Sequence, residues 1–261
     1  MGDRNATTYA TAKTVDYYTQ LQQLQPAEAT IIERLRTQLP TMKMLDIGIG
    51  AGRTTKHFAS LVATYTGIDY SPQMIAACQQ RFKDSRQPMT LQVGDARAMA
   101  EFADQSFDFI LFSFNGIDSV SHGDRLKIFQ EIKRISKTGC YFLFSSHNLQ
   151  AMEREFDWKQ KISCNPISTY IDLVMLTILK SLNRSINRQK LADSDYLIIR
   201  DESHNFSLQN YYIRPAEQCR QLADEFENIE IYSWQSGLQI SDPQELAEHP
   251  DLWLYYLCQS K

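Results

Sequence analysis

Three of the chain's ten glycines, Gly48, Gly50 and Gly52, fall within five residues of one another. Globular proteins carry about 7% glycine, so a chain of 261 residues with only 10 has gathered its most permissive backbone at one place. The cluster directly follows the short apolar run 42–47, which predicts a buried strand, and a predicted helix follows at 54–61. A strand that ends in glycines before a helix lets a ligand approach backbone N–H groups closely.

Strands and helices alternate from this cluster onward. The predicted strands are 42–47, 64–68, 89–93, 107–114 and 141–145, and the predicted helices between them are 54–61, 71–83 and 124–137, the last ending at Gly139. Two later strands, 229–234 and 252–258, would complete the sheet. This order predicts an α/β fold with a doubly wound, mostly parallel sheet of seven strands.

The glycine spacing separates two kinds of ligand. A dinucleotide fingerprint, G-x-G-x-x-G, places its third glycine five residues after the first, whereas here Gly52 follows Gly48 by four and Arg53 holds the fifth place. Asp46 also precedes the first glycine by two. A carboxylate there would repel a pyrophosphate, but it suits a ligand that carries an ammonium and a sulfonium.

Asp46-x-Gly48-x-Gly50-x-Gly52 resembles the first motif of the class I S-adenosylmethionine-dependent methyltransferases. Four further segments resemble later parts of that core in the same order: 67–71, 93–96, 107–112 and 132–141. The resemblance covers roughly residues 40–147. It implies a Rossmann-like methyltransferase fold, S-adenosylmethionine as the cofactor, and methyl transfer as the reaction.

The resemblance also implies a set of cofactor-binding residues. Asp69 corresponds to the acid that binds the ribose hydroxyls, and Asp95 to the carboxylate that accepts from the adenine amino group. The alternative for Asp95 is turn formation, and the alternative for Met74 is core packing. For Arg53 it is an exposed position at the start of a helix. The full set is Asp46, Gly48, Gly50, Gly52, Arg53, Asp69, Tyr70, Met74, Asp95, Ala96, Phe114 and Asn115.

The sequence indicates less about the methyl acceptor, because the transfer of an activated methyl group requires mainly positioning and sometimes a base. His147 and His204 border the predicted site, and His122 lies in the segment after the fourth strand. All three are candidate bases, with surface or capping roles as the alternative. Four aromatic side chains are candidates for binding the acceptor, core packing being the alternative: Tyr17, Tyr18, Tyr211 and Tyr212. No residue pattern predicts a metal site.

Residues 150–205 interrupt the alternation and are interpreted as an inserted helical lid. Within them, residues 158–191 carry six basic side chains and one acid, a net charge of +5, which leaves −9 on the rest of the chain. Apolar residues recur at helical spacing over 171–186, and we expect them to cover a pocket mouth bordered by Tyr211 and Tyr212. The basic side is a solvated face, with recognition of an anionic acceptor and contact with an acidic membrane as the alternatives. We expect no membrane anchor, since residues 167–191 contain neither Trp nor Phe.

The sequence therefore predicts N-terminal helices over the cofactor site (1–39), a cofactor-binding core (40–149), the lid (150–205) and the rest of the sheet (206–261). A net charge of −4 argues against nucleic acid as a partner. Five scattered cysteines and the lack of an apolar leader suggest a cytoplasmic protein. The predicted activity is methylation of an oxygen or nitrogen of a small molecule. An RNA or protein methyltransferase and a non-catalytic cofactor-binding protein are the alternatives.

Overall fold

The computed structural model of the protein describes residues 11–203 and 206–261. Its strands are β1 (Lys43–Ile47), β2 (Thr64–Asp69), β3 (Met89–Val93), β4 (Phe107–Phe112), β5 (Ser136–Asn148), β6 (Tyr196–Ile199), β7 (Asn210–Ile213), β8 (Phe226–Ser233) and β9 (Trp253–Ser260). Its helices are α1 (Ala12–Gln20), α2 (Pro26–Leu35), α3 (Thr55–Phe58), α4 (Pro72–Arg81), α5 (His122–Ile135), α6 (Leu149–Glu155), α7 (Pro166–Leu182), α8 (Arg188–Asp193), α9 (Pro215–Leu222) and α10 (Pro243–Glu248).

The sheet follows the order β3-β2-β1-β4-β5, with all four pairings parallel. β9 then pairs antiparallel with β5, and β8 pairs antiparallel with β9. The predicted α/β fold with seven strands is thus confirmed. The chain order reverses between β1 and β4, and in open α/β sheets ligands bind outside the carboxyl ends of the strands at such a point.

A hairpin of β6 and β7 extends this sheet beyond the seven predicted strands. β7 pairs in parallel with the last two residues of β5, His147 opposite Tyr212 and Asn148 opposite Ile213. His147 also pairs with Trp253 on β9, so β7 occupies the other edge of β5, past the point where β4 ends. The prediction missed β7 because its four residues are too few to show an alternating pattern.

The sheet is buried on both faces. Phe142 and Phe144 of β5 pack on one face against Ile128 of α5, and Leu143 packs on the other with Ile31 of α2. Successive strand residues point to opposite faces, which explains why β4 and β5 are almost continuously apolar.

The junction of α5 and β5 differs from the prediction. The helix ends at Ile135, and β5 begins at the next residue. Gly139 does not end the helix, because it lies inside β5 with a φ of 78°. The pairing of β5 with β4 shifts here, with Ser136 opposite Phe107 and Tyr141 opposite Phe109. The residues between form a bulge, and a left-handed glycine is the residue that a bulge accepts most readily.

Residues 150–205 contain most of α6, then α7, α8 and β6. They share a separate small core, in which Met152, Leu179 and Leu191 pack with Tyr212. The expected covering of a pocket mouth by α7 is wrong: of its residues only Leu176 and Leu179 are buried. Tyr211 and Tyr212 do not border an opening, because both belong to a strand of the sheet and are at most 2% exposed. Within the described ranges, we find no helix with the length and apolar character needed to cross a bilayer.

The contact between α2 and the turn after β8 generates a stability prediction. Gly237 in that turn has a φ of 71°, and a Cβ there would lie 2.7 Å from the backbone carbonyl of Pro26. We expect Gly237→Ala to lower the free energy of unfolding by about 1–3 kcal/mol, because backbone cannot yield as a side chain can. Gly123→Ala is the control, since a Cβ at this helical position meets nothing within 4 Å. Urea denaturation in which both variants are as stable as the wild type would contradict the prediction.

Candidate functional site

A cleft lies where β1, β2, β3 and β4 end. Eight of the predicted cofactor-binding residues line it: Gly48, Gly50, Asp69, Tyr70, Met74, Asp95, Ala96 and Phe114. Tyr18 of α1 lines it as well, and so do Arg97, Ser119 and Val120, which the sequence did not single out. The structure thus brings together residues spread over about a hundred positions of the chain at the edge that the topology marks for a ligand.

The three clustered glycines have different roles. All adopt positive φ, 69° at Gly48, 53° at Gly50 and 85° at Gly52. A Cβ on Gly50 would point towards Tyr18 at 3.8 Å, so this position keeps the backbone open. A Cβ on Gly52 would lie 2.5 Å from the Phe82 ring and 2.7 Å from Cys78 Sγ. Gly52 is therefore required for packing against α4 and its end, while Gly48 and Gly50 form the wall of the cleft.

Asp69 is held in place by backbone at the end of β2. Its Oδ2 accepts a hydrogen bond from the Gly50 N–H at 2.9 Å, and its Oδ1 accepts from the Ser71 N–H at 2.9 Å. The side chain is almost fully buried, and this burial raises its pKa although the two N–H groups lower it. Each oxygen has a further lone pair, so the carboxylate is fixed and still able to accept from a ligand.

Asp46 lies beneath the loop and does not line the cleft. Its Oδ2 accepts from the Tyr65 hydroxyl at 2.6 Å. Burial raises the pKa of Asp46 to about 7, against hydrogen bonds from Thr54 and Tyr65 that lower it. This hydrogen bond joins β1, which contains Asp46, to β2, which contains Tyr65.

Arg53 is also withdrawn from the cleft. Its guanidinium donates to both carboxylate oxygens of Glu28, at 2.6 and 2.7 Å, and to Ser113 Oγ at 3.1 Å. It lies over the Phe114 ring, 5.2 Å from the centroid. Glu28 is fully buried and completes a capping box at the start of α2 by accepting from the Gln25 N–H. The expected contact of Arg53 with a cofactor carboxylate stays a prediction, because Glu28 fills that role here.

Asp95 and Arg97 form an exposed pair at the cleft edge. Both carboxylate oxygens of Asp95 accept from Arg97, with Nε at 2.9 Å and Nη2 at 2.6 Å. These hydrogen bonds lower the pKa of Asp95. The predicted acceptance from an adenine amino group stays a prediction, and it requires Arg97 to share that carboxylate.

The turn after β4 is strained. Phe114 and Asn115 have φ values of 55° and 57°, a region that non-glycine residues rarely adopt and that clusters at binding sites. The Asn115 N–H donates to Ser145 Oγ at 2.7 Å, which helps to hold the turn. Asn115 Oδ1 is buried and has no hydrogen-bond partner among the described residues. A buried acceptor without a donor indicates a place for a polar ligand group.

Behind this turn, His147 is oriented by Asp118. Asp118 Oδ2 accepts from both the backbone N–H of His147, at 2.7 Å, and its Nδ1, at 2.8 Å. Asn115 Nδ2 lies 3.3 Å from Nε2. Asp118 Oδ1 accepts from Arg125 at 2.5 Å and from Ser146 Oγ at 2.8 Å. A carboxylate can only accept, so the proton of a neutral His147 is on Nδ1 and Nε2 carries the lone pair.

The remaining candidates are placed elsewhere. His122 stacks on Tyr196 and contacts the Tyr211 hydroxyl through Nδ1 at 2.8 Å; burial lowers its pKa. Tyr212 donates to Asp201 Oδ2 at 2.6 Å. Tyr17 is half exposed beside Tyr18, outside the cleft lining. His204 lies outside the described residues.

The raised pKa of Asp46 generates a pH prediction. Between the ordinary value of 3.8 and about 7, the folded protein binds more protons than the unfolded chain. The contribution of Asp46 to the free energy of unfolding therefore falls as the pH rises through this window. Since Asn does not titrate, we expect the Tm of Asp46→Asn, relative to the wild type, to be higher at pH 8 than at pH 5. Asp84→Asn, on the surface after α4, is the control. If the difference in Tm between Asp46→Asn and the wild type were the same at pH 5 and pH 8, or smaller at pH 8, burial would not raise the pKa of Asp46.

Comparison with known proteins agrees with this geometry. A family model described as a methyltransferase domain matches residues 44–139. The ubiquinone/menaquinone biosynthesis C-methyltransferase UbiE of Geobacter sp. (strain M21) is 35% identical over 102 residues, which are 37% of this chain and 42% of that protein. The hybrid PKS-NRPS synthetase poxE of Penicillium oxalicum is 29% identical over 120 residues, 43% of this chain and 3% of the synthetase. This chain therefore spans less than half the length of these relatives.

Solved structures extend the similarity to the rest of the chain. An S-adenosylmethionine-dependent methyltransferase from Mesorhizobium loti has a TM-score of 0.59 at 17% identity, covering 89% of this chain and 97% of that one. A second from Methanosarcina mazei has a TM-score of 0.57 at 17% identity, covering 88% and 96%. At this identity the similarity concerns the fold. The resemblance seen in the sequence motifs is confirmed: residues 44–139 match the model of a methyltransferase domain, and the fold is similar to that of S-adenosylmethionine-dependent methyltransferases.

Proposed function

We propose that the protein transfers the methyl group of S-adenosylmethionine to a small molecule. The observation that carries the proposal is the fixed Asp69 carboxylate beside the glycine loop at the switch point of the sheet. Asp69 would accept from the ribose hydroxyls, and Met74 and Ala96 would contact the adenine. The loop at Gly48 and Gly50 would admit the methionine portion close to the backbone.

The cleft fits this cofactor in two further respects. The rings of Tyr18 and Phe114 line it with their centroids 6.3 Å apart, and aromatic faces attract a sulfonium. Asn115 Oδ1 next to them, which has no partner in the described part of the chain, can accept from an ammonium or hydroxyl. When bound, the cofactor supplies an activated methyl group. The protein's own residues have to orient the acceptor and remove its proton where it has one.

His147 is the residue we assign to proton removal. Asp118 fixes its ring so that the Nε2 lone pair is on the side of Asn115, at the strained turn that borders the cleft. Asp118 would also stabilise the imidazolium that forms when Nε2 takes a proton. A general base is of use only where the accepting atom must lose a proton, so this arrangement supports a hydroxyl, or an activated carbon, more than a neutral amine.

The relatives support a small acceptor. UbiE is named as a C-methyltransferase of ubiquinone and menaquinone biosynthesis, and poxE as a hybrid PKS-NRPS synthetase. A net charge of −4 gives no support to a nucleic-acid substrate. Tyr18 of the N-terminal helix α1, which lines the cleft, would help to enclose the acceptor. A protein that binds the cofactor without turnover is the alternative that the experiments below separate.

Asp69 generates the binding prediction. We expect Asp69→Ala to weaken S-adenosylmethionine binding by about 1–3 kcal/mol, the value of hydrogen bonds to a charged acceptor. Titration calorimetry measures the effect, with circular dichroism to verify folding. Asp84→Ala, an exposed aspartate outside the cleft, is the matched control. Unchanged affinity in a folded Asp69→Ala variant would exclude the proposed cofactor site.

His147 generates the turnover prediction. We expect His147→Gln to lower the rate of S-adenosylhomocysteine formation about 10²–10⁴-fold with a panel of small hydroxylated acceptors, because it removes the base. Cofactor affinity should stay unchanged, since His147 is not among the residues proposed to contact the cofactor. His122→Gln is the matched control and should retain turnover. Equal rates for His147→Gln and wild type would refute the base assignment, and cofactor binding without turnover on any acceptor would favour the non-catalytic alternative.

A further inference from the structure

The outer face of α7 is apolar and open to solvent. Its exposed apolar residues include Ile167, Tyr170, Ile171, Val174, Ile178 and Leu182. Ile167 and Tyr170 are 70% and 71% exposed, which is unusual for such side chains. The spacing of three and four residues places this set, defined here as the α7 outer face, along one side of the helix. The buried Leu176 and Leu179 are on the opposite side, where α7 contacts the small core.

Further exposed apolar side chains precede the helix. Trp158, 53% exposed, and Ile162, 57% exposed, belong to and follow the short 3-10 turn Trp158–Lys161, which packs against α7. From the sequence we expect no membrane anchor, because residues 167–191 contain no Trp or Phe and a pocket mouth would cover the apolar side. The structure places a tryptophan beside the helix, and the described residues leave the apolar side uncovered.

Cations lie on another side of α7, where Lys180 is turned away from the α7 outer face. A groove next to α7 is lined by Arg154, Lys159, Lys180, Arg184, Arg188 and Arg214. In the part of the chain that the structure describes, Lys159, Lys180, Arg184 and Arg188 have no ion-pair partner. Residues 158–191 carry a net charge of +5 in a chain of −4. The segment that exposes this apolar surface thus has a net positive charge in a chain that is otherwise acidic.

The exposed apolar side chains and the cations together indicate what binds to this part of the protein. A second copy of the chain paired through the α7 outer face would bring two segments of +5 together, which is unfavourable. An anionic lipid surface offers both a hydrophobic interior for the apolar side chains and negative headgroups for the cations. We propose that the α7 outer face, with Trp158 and Ile162, binds peripherally to the surface of an anionic lipid bilayer. This proposal does not depend on the methyl-transfer function.

Vesicle co-sedimentation of the whole chain tests the proposal. We expect the protein to sediment with vesicles of phosphatidylcholine and phosphatidylserine, and much less with phosphatidylcholine alone. The double variant Ile171→Ser/Ile178→Ser should bind at least tenfold more weakly, because it removes two apolar side chains from the face. Leu238→Ser is the matched control, since Leu238 is 70% exposed far from α7 in the sequence. The double variant Arg184→Glu/Arg188→Glu should bind the anionic vesicles roughly fivefold or more weakly for each cation removed, and its binding should depend less on salt concentration.

Three outcomes would overturn the proposal. The wild type could stay in the supernatant with anionic vesicles, or the Ile171→Ser/Ile178→Ser variant could sediment as well as the wild type. Alternatively, sedimentation velocity could show a dimer that the double variant loses, which would assign the face to a second copy. Thermal melting verifies that the variants fold. Their S-adenosylmethionine affinity should equal that of the wild type, so failure here is distinguishable from failure of the proposed function.

Discussion

The hydrogen bond from the Gly50 N–H to Asp69 Oδ2, at 2.9 Å, ties the loop after β1 to the end of β2. It joins the two features on which the cleft depends, an open backbone and a fixed carboxylate. The loop could not take this path without positive φ at its glycines. The carboxylate in turn is buried and requires the Gly50 and Ser71 N–H groups to compensate for lost solvent. Hydrogen bonds within the protein therefore fix the floor of the cleft.

Two buried ion pairs flank this floor. Arg53 pairs with Glu28 on the side of the N-terminal helices, and Arg125 pairs with Asp118 on the side of β5. A buried ion pair adds little to the free energy of unfolding compared with apolar packing. Loss of one partner lowers that free energy strongly, because it leaves the other charge buried without a partner. We infer that these pairs serve to position: the first holds α2 and the Phe114 ring, and the second holds Asp118 against His147.

What the sequence could predict was local. The glycine spacing and the strand–helix alternation predicted the fold. They also placed Asp69 and Met74 at the carboxyl edge of the sheet, where both line the cleft. Glu28 and Asp118 were missed, since their partners are separated from them in the chain and only the folded sheet brings them together. The 3.6-residue pattern of α7 predicted a helix with an apolar side, but no pattern within one helix states which neighbour covers that side.

A crystal structure with S-adenosylhomocysteine would test the central claim most directly, namely that this cleft is a cofactor site built around Asp69. The account predicts ribose hydroxyls within hydrogen-bond distance of Asp69, adenine beside Met74, and the sulfur facing Phe114. It also predicts that Asp69 keeps its bonds to the Gly50 and Ser71 N–H groups. A ligand bound elsewhere, or one that leaves Asp69 without contact, would contradict the account.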